Sequence, residues 1–274
     1  MVLKFLKKAK KKSFTSREGL RSASDNGGYV AFVEQAVADP VVFANFKQSL
    51  VYQEILEHTS EAQARQYLEI IAEQTPQVFT SLEKFAVNDL VGGASVIRFS
   101  DRCSLSPSTL RYVKVASDLV KLFGDVLQHA QVAEIGVGYG GQRLVLDQLY
   151  QFASYDMFDL PAVLGLVSKY LESHLLQSCY QTKTLNTYDG AKDYDLVISN
   201  YAFSELPAVV QRIYVEKVLK KAKRGYLTMN SGVSDSLYAD GRMSREEIQS
   251  IIPNTRVLEE KPLSYPGNYL LVWG

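Results

Sequence analysis

At 274 residues the chain can build one large α/β domain with a helical extension, and an apolar fraction of 46% is that of a globular protein. Lysine plus arginine equal aspartate plus glutamate at 30 each, so no global field directs the chain to nucleic acid. Cys103 and Cys179 lack metal-ligand spacing, which reads as free thiols in a reducing, cytoplasmic setting, and no apolar run approaches the roughly 20 residues of a membrane span.

The first twelve residues hold Lys4, Lys7, Lys8, Lys10, Lys11 and Lys12 behind Val2, Leu3, Phe5 and Leu6. They begin like a secretion signal but lack its apolar stretch, and read as a solubilising tail, with weak contact to an anionic membrane surface as the alternative. With the loop that follows, this tail makes up residues 1–28. Residues 29–123 read as a mainly helical region. Phe43, Phe46 and Leu50 share one helix face, and Ser60 with Gln63 forms a capping box for a helix carrying Tyr67, Leu68 and Ile71. A short strand is expected at 95–99. Ser106-Pro107 supplies an N-cap and a first-turn proline for a helix running to Phe123.

From residue 124 short apolar runs alternate with helical stretches. Strands are expected at 131–135, 154–158, 183–186, 196–199, 225–230, 255–260 and 269–273. Helices are expected at 142–151, 161–177, 207–221 and 244–251, the last capped by Ser244 and Glu247. This alternation predicts a mostly parallel sheet covered on both faces, and the last two strands, with no helix between them, predict an antiparallel hairpin. Residues 124–274 thus form one catalytic-domain candidate behind the helical region.

The run Glu134-Ile135-Gly136-Val137-Gly138-Tyr139-Gly140-Gly141 joins an apolar strand to a helix through glycines that admit close approach of backbone to a ligand. Gly136, Gly138 and Gly141 fit the dinucleotide pattern, with Asp159 about 20 residues further on. Three details shift the balance away from a nicotinamide or flavin cofactor. Glu134 stands two residues before the first glycine, the unit follows a long helical region, and 194–201 reads as an acid-led strand ending in Asn200 and Tyr201.

Together these features resemble class I S-adenosylmethionine-dependent methyltransferases. Adding Ser106-Pro107-Ser108-Thr109-Leu110-Arg111-Tyr112-Val113-Lys114, Phe158-Asp159-Leu160-Pro161, Ser204-Glu205-Leu206-Pro207 and Asn268-Tyr269, the chain from Ser106 onward is similar to a bacterial family of sugar O-methyltransferases. The resemblance implies a doubly wound, Rossmann-like methyltransferase sheet, mostly parallel with a C-terminal antiparallel hairpin, and S-adenosyl-L-methionine as cofactor. It implies that Glu134, Gly136, Gly138 and Gly140 approach the methionine part, and that Asp159, with Leu160 beside it, takes the ribose hydroxyls. Asn186 is the candidate at the adenine, with Thr187 and Asp189 as rivals. Asn200 and Tyr201 would face the methyl group.

Asp159 also reads as a helix-capping acid, and Glu134 as a brace for the loop backbone. Tyr139 either faces solvent or covers the cofactor. Gly141 lets a helix pack on the sheet. Arg111 is placed to pair with the methionine carboxylate if its helix folds over the cofactor, whereas Lys114 reads as solvated. His58, His129 and His174 stand outside every motif.

A sugar hydroxyl is a weak nucleophile and calls for a base, for which Glu205 is the first candidate and Asp235 the second. No compact acidic cluster indicates a metal. The expected activity is O-methyl transfer to a hydroxyl of a small molecule or glycan precursor, with the helical region as a lid and homo-oligomers left open. An NAD(P)-dependent oxidoreductase and a non-catalytic methyltransferase-like binding protein are the alternatives.

Overall fold

The computed structural model describes residues 27–55, 59–101, 103–230 and 241–274. The basic tail, His58 and Asp235 lie outside them. Helices α1 (Gly27–Ala38), α2 (Pro40–Ala44), α3 (Leu50–Ile55), α4 (Glu61–Gln74) and α5 (Pro76–Phe79) open the described chain. The capping box of α4 forms as expected, with the Gln63 N–H on the Ser60 hydroxyl and the Ser60 N–H on the Gln63 amide oxygen. A small antiparallel pair, β1 (Ile97–Arg98) with β2 (Ser104–Leu105), leads into α6 (Pro107–Phe123). That helix starts as its sequence dictates, with Ser106 capping the Thr109 N–H and Pro107 in the first turn.

The remainder alternates: β3 (Gln131–Ile135), α7 (Gly141–Asp147), β4 (Ser154–Phe158), α8 (Pro161–Leu171), β5 (Tyr180–Lys183), β6 (Leu196–Asn200), α9 (Ala202–Glu205), α10 (Ala208–Lys217), β7 (Gly225–Met229), α11 (Arg245–Ile251), β8 (Arg256–Glu259) and β9 (Tyr269–Trp273). The seven strands β3–β9 form one sheet in the order β5-β4-β3-β6-β7-β9-β8. From β5 to β7 all pairs are parallel, and β9 runs antiparallel to both β7 and β8. This is the expected doubly wound α/β fold with its closing hairpin. Inserting β9 before β8 departs from the plain dinucleotide-binding order, in which the sixth strand neighbours the fifth.

Alternation along the strands divides the core. Val132, Tyr155, Ile198, Tyr226 and Val272 face a core shared with α1, α4, α6, α7 and α8, while Ala133, Val197, Leu227 and Leu271 face one shared with α10 and α11. The N-terminal helices are therefore continuous with the sheet's own core. Lys169 of α8 donates to the Ala36 and Val37 carbonyls at the end of α1, and Gln74 of α4 donates to Ser117 and Asp118 of α6.

Several boundaries differ from expectation. The third strand of the α/β unit is Tyr180–Lys183 rather than 183–186, because its register with β4 ends at Lys183 against Phe158 and Thr184 then closes a turn onto Thr187 and Tyr188. Helix α7 stops at Asp147 and α8 at Leu171, both short of the expected ends, and residues 219–221 form a separate 3-10 turn after α10.

The strand order reverses at β3 and β6: successive strands run outward one way from β3 and the other way from β6. A crevice opens at the carboxyl ends of such a pair, and it is bordered here by Gly136 after β3 and Tyr201 after β6.

Candidate active site

A cavity of about 710 Å3 occupies this crevice. Its floor holds Glu134, Gly136, Gly138, Asp159 and Leu160. Asn186 and Thr187 line one end, and Asn200, Tyr201, Glu205 and Asn230 the other. Tyr29, Ile55, Thr59, Gln63 and Tyr67 of the helical region complete its wall, together with Ser264, Tyr265 and Asn268 from the β8–β9 connection. Of the adenine candidates, Asn186 and Thr187 reach the cavity; Asp189 instead accepts from the Ala191 N–H in the adjoining turn.

The glycine loop is built on left-handed backbone. Gly136, Gly138 and Gly140 have φ of 74°, 56° and 91°, values that L-residues seldom adopt. A Cβ at Gly136 would also collide with Ala202 Cβ, so the residue lets the loop after β3 meet the start of α9. Gly136→Ala should cost about 2–4 kcal/mol of stability, combining left-handed strain with overpacking. Urea denaturation would read this loss. Gly140, expected at the cofactor, caps α7 and packs toward Leu171, while Gly141 makes room for the rings of Tyr112 and Tyr139.

Tyr139 takes neither of its expected positions. It is fully buried behind the loop, edge-on to Phe46, Tyr112 and Tyr170, with its hydroxyl taking a hydrogen bond from Asn88 (3.0 Å) and Lys47 Nζ 4.4 Å from its ring centroid. An aromatic ring with a polar tip is stable in such a place only when the tip has a partner, and Asn88 supplies it. The backing of the loop thus comes from residues far from it in the chain, Phe46 and Asn88 before it and Tyr170 after it.

Glu134 is 2% exposed, and its carboxylate accepts the Tyr155 hydroxyl at 2.6 Å. Burial pushes its pKa up to about 8; the Tyr155 hydrogen bond and the Arg143 charge oppose the shift, and Asp159 adds to it. Asp159 Oδ2 accepts the Val137 and Gly138 N–H groups at 2.8 and 3.3 Å, and Oδ1 accepts the Leu160 N–H at 2.7 Å. Burial raises it to about 6 against these three donors. An ionised carboxylate offers about four acceptor positions. Asp159 therefore braces the loop and keeps acceptor capacity toward the cavity it lines.

This arrangement bears on ligand chemistry. A dinucleotide loop aims its amides at a pyrophosphate. Here the Val137 and Gly138 amides point at a carboxylate, and a second carboxyl lies beneath the loop. The floor therefore suits hydroxyls and a cation better than a phosphate. Across the crevice, Asn200 lines the cavity and its Nδ2 donates to Gln142 at 3.2 Å.

No protein-family model matches the chain, and no curated protein does. Among solved structures it is similar to magnesium protoporphyrin IX methyltransferase from Synechocystis with bound S-adenosylhomocysteine, at 16% identity over 74% of this chain and 97% of that one, with a TM-score of 0.42. It is also similar to the N-methyltransferase NodS from Bradyrhizobium japonicum in complex with S-adenosyl-L-homocysteine, at 12% identity over 59% and 85% of the two chains, TM-score 0.43. The methyltransferase domain of a bacterial Hen1 matches at 14% identity over 59% and 96%, TM-score 0.43. The fold itself is read from the strand order.

Arg111 lines the cavity on α6, with its guanidinium over the Tyr112 ring and its charge felt by Tyr67 and Tyr201. Lys114, expected to be solvated, is buried and paired with Asp118 at 2.6 Å one turn on; Asp118 also accepts the Tyr226 hydroxyl. Packing of α6 against the sheet leaves that face no solvent. Glu205 accepts the Asn230 amide at 2.8 Å, and burial raises its pKa against the pull of Asn230 and Arg242. Asp195, the acid leading β6, ties the Gln131 N–H and Lys223 and has a structural task. His174 packs on Tyr170, and burial beside Lys47 lowers it to about 4. His129 lies in the turn before β3, its N–H bonded to the Gln151 carbonyl.

Among the described residues no group of His, Cys, Asp and Glu is disposed to hold a metal ion. No described helix is long and apolar enough to cross a membrane. Sequence reasoning missed Asn88, Glu260 and Ser264, the first behind the glycine loop and the others beside Tyr201.

Proposed function

We propose that this protein is an S-adenosylmethionine-dependent methyltransferase that methylates a hydroxyl of a sugar or glycan precursor. The observation that carries the cofactor reading is the pair Glu134 and Asp159 beneath a loop whose amides already point at a carboxylate. Asp159 and Leu160 would meet the ribose, Asn186 and Thr187 the adenine, and Glu134, Gly136 and Gly138 the methionine part. Asn200 would stand near the methyl group, and Arg111 stands within the same cavity for a carboxylate. The bound cofactor supplies an electrophilic methyl on a good leaving group. The chain's own residues align the acceptor, exclude water and take its proton.

The hydroxyl acceptor belongs to the opposite end of the cavity, where Glu205 and Tyr201 meet the wall made by the N-terminal helices. These helices serve as a lid in the sense of a fixed wall, because they share the sheet's core. The sugar class rests on the sequence resemblance, and the polar lining from Gln63, Thr59 and Asn268 is compatible with it.

Calorimetric titration tests the reading. S-adenosylmethionine should bind and nicotinamide nucleotides should not; the reverse result would replace methyl transfer with hydride transfer. Repeating the titration in buffers of different ionisation enthalpy should reveal proton release approaching one per site at pH 7, because a cationic ligand beside Glu134 lowers a pKa of about 8. Glu134→Gln should abolish that release. The same group destabilises the unliganded protein as pH rises from about 4.5 through about 8, since only its neutral form suits the buried site.

A further inference from the structure

Tyr201 follows β6 with φ 66° and ψ −38°, a backbone conformation that bulky L-residues avoid. Strain of this kind persists where surrounding contacts over-determine it, and it concentrates at functional sites. The Tyr201 N–H is bonded to the Thr228 carbonyl at 2.9 Å, and its side chain is tied to Glu260 and Ser264, roughly sixty residues away in sequence.

The hydrogen-bond directions at this tie are defined by the donor inventory. Glu260 is buried just beyond β8. Its carboxylate accepts the Tyr201 hydroxyl, the Ser264 N–H at 2.9 Å and the Ser264 hydroxyl at 2.8–2.9 Å. Asn268 Nδ2 donates in turn to Ser264 Oγ at 3.1 Å. A carboxylate offers no proton, so the tyrosine must be the donor in its bond to Glu260. Tyr201 borders the ligand cavity, and Ser264 and Asn268 line it as well. What the hydroxyl can still offer a ligand is a lone pair.

We infer that Glu260 is a positioning residue that commits the Tyr201 proton away from the cavity, so that the Tyr201 oxygen accepts an O–H of the methyl acceptor other than the one whose proton Glu205 takes. The inference rests on the proposed reading of this end of the cavity as the acceptor site. It deepens that reading: the acceptor must carry a second hydrogen-bond donor beside its attacking hydroxyl, and ethers, carbonyls and carboxylates are refused at that point. The charged or titratable neighbours of this tie are Tyr67 on α4, Arg111 and Lys114 on α6, Tyr226 on β7 and Lys261, which share a small hollow with Tyr201 and Glu260.

The test uses 4-nitrophenol, whose ionisation falls near neutrality and is read from visible absorbance, titrated into the protein saturated with S-adenosylhomocysteine. The wild-type protein should hold the neutral phenol, moving the bound probe's ionisation to higher pH than in free solution. In Glu260→Gln the amide can donate to Tyr201, which frees the tyrosine proton to point into the cavity. Ionisation of the probe should then shift to lower pH. Glu260→Asp, which keeps an acceptor there, should behave as wild type.

Tyr201→Phe should weaken probe binding roughly fivefold, the loss of one neutral hydrogen bond. In that background Glu260→Gln should change nothing further, because Glu260 acts through Tyr201. Equal probe binding by wild type and Tyr201→Phe, including none by either, overturns the inference. So does an unchanged probe ionisation in a Glu260→Gln protein that still binds S-adenosylhomocysteine. Failure of the wild-type protein to bind S-adenosylhomocysteine would instead sink the methyltransferase reading, and the probe titrated without it would still report on Tyr201.

Discussion

Asp159→Ala should weaken S-adenosylmethionine binding by about one to two orders of magnitude, the loss of one charge-assisted hydrogen bond to a ribose. The same change removes the acceptor for the Val137, Gly138 and Leu160 amides, so the unliganded protein should also lose stability. Asp159→Asn separates the two effects. Its one remaining oxygen can accept from one side of the loop while its NH2 opposes an N–H on the other, so stability should return only in part while affinity stays low. Isothermal calorimetry with S-adenosylhomocysteine, paired with thermal unfolding of the free proteins, measures both.

The pH dependence has a defined sign. On the proposed reading the ionised carboxylate is the ribose acceptor, and burial places Asp159 at about 6, so affinity should fall as pH drops through that value. Deprotonation of Glu134 near 8 favours a cationic ligand in the same direction. Affinity should therefore rise with pH between about 6 and 8. A flat profile, or unchanged binding by Asp159→Ala, would remove Asp159 from the cofactor site.

The sequence discloses most clearly what is enforced locally. Strands 131–135, 154–158 and 269–273 fall where the apolar runs put them, because buried strands need continuous apolar side chains. Helix starts with a serine cap and first-turn proline are equally legible, as Ser106-Pro107 shows. The strand β5 is misplaced because it is an edge strand with mostly polar, partly exposed residues, which leave little hydrophobic signal. Lys114 does carry a signal, Asp118 one helical turn on, but a lysine at that spacing reads equally as a solvated pair.

Other features have no local signature. Tyr139 is buried by Phe46, Tyr112 and Tyr170, which only the tertiary fold brings behind the loop. Glu260 and Ser264 meet Tyr201 because β9 is inserted between β7 and β8, a topological fact that hydrophobic pattern does not encode. The glycine-loop part of the cavity is legible because it is built from one contiguous loop and one strand end. The rest is assembled from α3, α4, α6, α9 and the last hairpin, and composition along any one of them says little about their meeting.

Glu205→Gln should lower kcat by about two to four orders of magnitude, the usual yield of general-base catalysis, with little change in cofactor affinity. Glu205 lies one turn beyond Tyr201 on α9, lines the cavity, and is held there by the Asn230 amide. Burial holds its pKa above the ordinary carboxylate value, which brings it closer to the working pH and strengthens it as a proton acceptor. The base must be ionised to act, so kcat should climb as pH rises through that elevated pKa, and this acid limb should vanish in Glu205→Gln. Labelled S-adenosylmethionine with any hydroxyl acceptor that the wild-type enzyme methylates gives the readout. Wild-type turnover and an intact acid limb in the variant would exclude Glu205 as the base and leave Asp235, beyond the described residues, as the candidate to test next.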